Sequence, residues 1–156
     1  MADPLSRYGS ISDLQTLGVR AEALAKFTPA EKNKALDDAS RTMDSYFRKQ
    51  FTLPLVAVGG DVARFCAIIA AYDLVSGRGL NPEGNDENLR LRYLDALKWL
   101  EMVAAGKVLP DVTDSSPGAE PGQASIGGPR VISSSSRGYS SRGDTSGGCR
   151  GPFVGG

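Results

Sequence analysis

Residue types that do chemistry are sparse and scattered in this sequence. It has no histidine, so no side chain of ordinary pKa is poised for general acid–base work near neutral pH. The densest carboxylate group, Asp37, Asp38 and Asp44, alternates with Lys34 and Arg41, and at helical spacing that alternation reads as a solvated charged face rather than a metal site. Asp73 stands inside an apolar run; a carboxylate there calls for a cationic partner, and Arg78 or Arg92 would serve. Cys66 lies in the same run and Cys149 far downstream, which makes neither a metal-ligand pair nor a disulfide framework, and Cys66 reads as inert packing. Trp99, Tyr93 and Tyr72 fall at helical spacing, as core or interface aromatics do. No Gly-rich loop with a following Lys is present, and Arg142-Gly143-Asp144 is a tripeptide of the kind that a Gly/Ser-rich stretch produces by chance. These residues do not make an enzyme, and they call for no cofactor and no metal.

The elements that must position them are helical. Ser10-Ile-Ser-Asp13 has capping-box spacing, and a short helix carrying Ile11, Leu14 and Leu17 on one face would end at Gly18. A loop or single turn then leads through residues 19–27. Thr28-Pro-Ala-Glu31 combines an N-cap, a Pro at the first helical position and a Glu three residues after the cap. From there Leu36, Ala39, Met43, Tyr46 and Phe47 make an apolar stripe to about Gln50. Pro54 then breaks the chain. Asp61 is the expected N-cap of a helix to about Ser76, apolar on nearly all sides and so buried on several. At its longest, that apolar run is interrupted by Arg64 and Asp73 and is shorter than the roughly 20 residues that cross a membrane. After the Gly/Asn/Pro punctuation of residues 77–85, Asn85 or Asp86 caps a last helix with Leu89, Tyr93, Ala96, Leu97, Leu100 and Val103 on its inner face, stopped by Gly106.

Beyond Leu109 the composition changes to Gly, Ser and Pro, with too little apolar surface to offset chain entropy. The expectation is an all-α fold, a small bundle of about four helices over residues 1–109, followed by a long extended Gly/Ser-rich C-terminal arm over 110–156. Lys plus Arg equals Asp plus Glu at 18 each, which argues against a uniformly basic nucleic-acid groove. The absence of a basic-then-apolar leader points to a reduced, cytosolic setting.

The ordered set "SISDLQTLG", "TPAEKNKALDDASRTMDSYFRKQFTLPL", Arg78-Gly-Leu-Asn-Pro82 and "LRYLDALKWLEMVAAGKVLP" resembles the Mu-type head-tail joining proteins of tailed bacteriophages and, more distantly, the head-completion adaptors of siphophages. The likeness covers residues 10 to 110. It implies a structural virion protein, an adaptor that forms a homo-oligomeric, commonly dodecameric ring under the portal protein after DNA packaging. Such a ring links the portal to a stopper or tail, with double-stranded DNA passing transiently through the lumen. It implies no catalytic residues and no membrane, and it places the protein at the head-tail interface of the virion after assembly in the host cytoplasm. The tail after Pro110 is longer and richer in Gly and Ser than the resemblance implies.

That arm of about 47 residues would span about 40 Å as a flexible coil, against a domain radius of gyration of about 13 Å. Ordering it costs on the order of 1 to 2 kcal/mol per residue. It is therefore expected to order only where a partner supplies pockets, with Val131, Ile132, Tyr139, Phe153 and Val154 as its anchors on a neighbouring subunit or the portal. The alternative is a nucleic-acid-binding tail using Arg130, Arg137, Arg142 and Arg150 with Tyr139; Asp111, Asp114, Glu120 and Asp144 offset that charge.

Overall fold

The computed structural model describes residues 7–79 and 86–123. The chain opens with helix α1 (Ile11–Asp13), whose N-cap Ser10 accepts from Asp13 N–H while the Asp13 carboxylate accepts from Ser10 N–H. The helix widens at once into a π-helical turn over Leu14–Gly18, closed by Val19 N–H donating to Leu14 O at 3.3 Å. That turn buries Leu14 and Gly18 and leaves Leu17 about one-third exposed. Gly18 is required by contact: a Cβ there would lie 3.2 Å from both the Ala67 carbonyl oxygen and the Ala71 methyl. Of the loop or single turn expected before Thr28, the chain forms the single turn, helix α2 (Ala21–Leu24).

Helix α3 (Pro29–Phe47) starts where the sequence sets it, with Thr28 accepting from Glu31 N–H and Glu31 reaching back to Thr28 N–H at 2.7 Å. It ends three residues before the expected Gln50, because residues 48–50 tighten into a turn in which Gln50 N–H bonds Phe47 O. Strand β1 (Leu55–Val58) follows a cis Leu53–Pro54 peptide. Helix α4 (Gly60–Ser76) begins two residues earlier than expected, with Gly59 rather than Asp61 as its N-cap. Asp61 lies inside the first turn, where its carboxylate accepts from Val62 N–H at 2.9 Å and favours the positive end of the helix. Helix α5 (Asp86–Ala104) completes the bundle, and Gly106, at φ +70°, turns the chain out of it.

Helix α4 is the centre of the packing. It buries Val62, Cys66, Ala67, Ile68, Ile69, Ala70, Ala71 and Leu74, and the first helical segment, α3 and α5 all lie against it. Its small side chains let these neighbours approach closely. Helix α3 contributes Ala35, Leu36, Ala39, Met43 and Phe47, and α5 contributes Leu89, Ala96, Leu100 and Val103. At one end of the bundle Phe47 meets Phe51 and Trp99 edge-on at 6.1 and 6.5 Å, and Trp99 stacks on Phe65 at 4.3 Å. Tyr72 and Tyr93 stack between α4 and α5 at 4.1 Å. Each fully buried large side chain contributes about 1.5–3 kcal/mol to burial, so this interlocked set carries the domain.

The all-α expectation needs correction in one place. Strand β2 (Val112–Asp114) pairs antiparallel with β1, Leu55 opposite Asp114, Ala57 opposite Thr113 and Val58 opposite Val112, with a bulge between Leu55 and Ala57. The fold is therefore mostly helical with a small two-stranded sheet. The strand lies beyond the expected division at 109/110: Pro110, Val112 and Asp114 are buried. Short strands with a single buried residue every other position give little periodicity to read, and here the pairing partner is more than 50 positions away. Of the arm expected over 110–156, residues 124–156 lie outside the described residues.

Candidate interaction surfaces

The anchors expected in the arm, Val131, Ile132, Tyr139, Phe153 and Val154, lie outside the described residues, as do the four arginines of the alternative reading. What the structure does place is the chemistry of the helical domain. The carboxylates of α3 are more than a solvated face. Asn33, Asp37, Ser40 and Asp44 recur at steps of four, three and four and so form one polar stripe along the helix. The segment before α1 lies along it: Arg7 Nε donates to Asp37 at 2.7 Å and Arg7 Nη1 to Asn33 at 2.8 Å. The backbone N–H of Tyr8 donates to Ser40 Oγ at 3.1 Å, and the Tyr8 hydroxyl to Asp44. Burial, together with the Asp44 charge beside it, drives the Tyr8 phenol far above its ordinary pKa. Ser40 is the signal that sequence reasoning overlooked: a polar residue on an apolar stripe between Leu36 and Met43, 3% exposed and bonded on two sides.

Asp73 is not paired with Arg78 or Arg92. Its helix turns it to the outside of α4, where partial burial and the nearby Asp38 charge raise its pKa. It lines a cleft of about 280 Å³ between α3 and α4, with Glu31, Lys34 and Asp38 across from it. Arg78 instead stacks over the Phe27 ring at 4.0 Å and donates to Lys26 O. Arg92 donates to Gly18 O at 2.9 Å and to Leu17 O. It thereby takes up carbonyls at the end of the π-helical turn and fixes that turn to α5. Cys66 is packed in the core against Ser40, and burial pushes its thiol up to about 11. Trp99, Tyr93 and Tyr72 serve as bundle aromatics, as their spacing suggests.

Two features could engage another molecule. Leu91 and Leu94 are roughly half exposed and three residues apart on the outer face of α5, and Leu17 and Leu109 are also exposed. A groove of about 400 Å³, lined by Gly18, Val19, Ala23, Val75 and Leu89 with Arg20 at its edge, separates the first helical segment from the start of α5. Among the described residues no three His, Cys, Asp or Glu side chains converge to hold a metal ion, and no helix is long and apolar enough to cross a membrane.

Sequence comparison adds a second line of observation. The family model described as "Bacteriophage Mu, Gp36" matches residues 6–126, a span that includes the helices and both strands of the described residues. The "Mu-like prophage FluMu protein gp36" of Haemophilus influenzae is 35% identical over 85 residues, covering 54% of this chain and 56% of that protein. "Gene product J" of Escherichia phage Mu is 35% identical over 94 residues, covering 58% and 62% respectively. Each alignment spans less than two thirds of the relative's own length.

Proposed function

Because the chain belongs to the Bacteriophage Mu Gp36 family, we propose that it is a structural protein of virion assembly, a head-tail connector adaptor. In this reading, copies assemble into a ring under the portal after DNA packaging and present a platform for the stopper or tail. Double-stranded DNA passes through the lumen, and the protein resides at the head-tail interface. The observation that carries the reading is the extent of the family match, which spans the whole helical domain and the sheet.

Physical features of the chain support it. Exposed Leu91 and Leu94 offer a helix face suited to subunit contact, since apolar side chains at the centre of an interface contribute most of its driving force. The equal count of basic and acidic residues, 18 of each, suits a channel wall along which DNA must slide without strong phosphate contacts. The test is native mass measurement and negative-stain imaging of the purified chain, alone and with portal and tail components. Rings, or a complex with portal, are expected; failure to bind both the portal and the tail side refutes the adaptor reading.

A further inference from the structure

The two edges of the sheet are treated differently by the fold. On the outer side of β2 the chain returns and Gly122 N–H donates to Val112 O at 3.0 Å. Among the described residues no helix packs closely along β1, and no turn or loop bonds the backbone of Val58. The phase of the ladder fixes which groups face the outer side of β1. Gly59 N–H bonds Asp111 O at 2.7 Å and Ala57 stands opposite Thr113; residues of an antiparallel strand alternate in direction, so Val58 turns its N–H and C=O outward. The bulge interrupts the ladder between Leu55 and Ala57, so the outward phase fixed at Val58 does not carry through to Val56. Edge strands are ordinarily guarded by charge, proline, a bulge or shortness; β1 is short and bulged but carries no charge, reading Leu-Val-Ala-Val. Val56 also borders a cavity of about 410 Å³ whose other walls come from β2 and the turn that follows it, Thr113, Ser116 and Ala119 among them.

We propose that residues 130–134 of the same chain dock along the outer edge of β1 as a third strand, placing one side chain of the Val131–Ile132 pair in the adjoining cavity. The described chain ends at Gln123, one residue beyond the Gly122 bond to β2, so the occupant leaves from the sheet itself. Val131–Ile132 is the one pair of adjacent β-branched residues after Gln123, and such residues suit a pleated, half-buried surface. Seven extended residues reach about 23 Å, whereas passing from the outer side of β2 to the outer side of β1 spans three inter-strand spacings, about 14 Å. Tethering makes the docking intramolecular, with an effective concentration in the millimolar range. The mode is strand addition, in which main-chain bonds give affinity and a pocket selects the side chain.

Hydrogen exchange of the full chain, resolved by residue, tests this against the full-length V131D/I132D variant, with Ala57 as the internal reference because it faces β2. The Val58 amide is expected to exchange at least about tenfold more slowly in the wild type than in the variant, with Ala57 and the circular dichroism unchanged. Equal exchange in the two proteins overturns the proposal, whether the amide is fast or protected. Protection that grows with protein concentration overturns it in favour of a second copy as the occupant.

Discussion

Replacing Asp114 should unfasten the sheet from the bundle. This carboxylate is 4% exposed. Its Oδ2 accepts from Thr52 N–H at 3.0 Å and from the Ser116 hydroxyl at 3.3 Å, and its Oδ1 accepts from Ser116 N–H at 3.0 Å. It thus joins the turn that follows α3 to the end of β2, across the pair Leu55–Asp114. A hydrogen bond to a charged group is worth about 1.5–3 kcal/mol. Three such bonds do not add in full, because their donors sit on half-buried residues that water reaches and because removal also relieves the cost of burying the charge. A net loss of about 2–4 kcal/mol is expected for Asp114→Ala. For a domain of roughly 120 residues that corresponds to a fall in Tm of about 10 °C. Asp114→Asn keeps the shape and one acceptor, but its amide NH2 must face a donor, so about 1–2 kcal/mol should go. Urea and thermal unfolding followed by circular dichroism measure both. A shift below about 2 °C for Asp114→Ala would refute the assignment of Asp114 as the clasp between sheet and bundle.

Tyr8→Phe should cost about 1–2 kcal/mol by leaving Asp44 without its donor, and a double-mutant cycle with Asp44→Ala should show coupling; additive losses would contradict the contact. Because the folded Tyr8 pKa is raised, its contribution is complete below the ordinary tyrosine value of about 10. It is lost as pH rises above that, so urea midpoints should decline in alkali less for Tyr8→Phe than for wild type. Thr28→Ala should cost about 1 kcal/mol through the α3 cap. The Glu31 pKa is lowered by its bonds to Thr28, so its share of that cap is present above the ordinary glutamate range and lost as pH falls through the lowered value, which denaturation at successive acid pH values would register. In a Cys149→Ser background, Cys66 should resist thiol reagents at pH 8 until the protein unfolds, since burial holds its pKa at about 11; rapid labelling of the folded protein would contradict its place in the core.

The positions of the long helices were legible because their signals are local. The Thr28-Pro29-Glu31 cap, the apolar period of α3 and α5, and Gly106 each act within one or two turns of chain. So does the all-round apolarity of α4, which announces a helix covered on several sides. The ordered run of motifs from Ser10 to Pro110 also pointed to the family that comparison then bore out. The π-helical turn was less visible: Ile11, Leu14 and Leu17 fit an ordinary helix, and only contact with α4 and the carbonyl bonds of Arg92 account for the wider turn that leaves Leu17 exposed.

Sequence by itself determined the caps, the helical periods and the shift in composition after residue 109, all consequences of near-neighbour sterics and hydrogen bonding. Tertiary structure decided which charges found partners. Asp37 and Asp44 bind Arg7 and Tyr8 some 30 residues away, and Asp73 faces outward although its run is apolar. Asp114, one more acid in a Gly/Ser/Pro-rich stretch by composition, is buried because it satisfies donors from the turn after α3. Such pairings depend on how α3, α4 and the returning chain meet in space, and no spacing along the chain encodes that meeting directly.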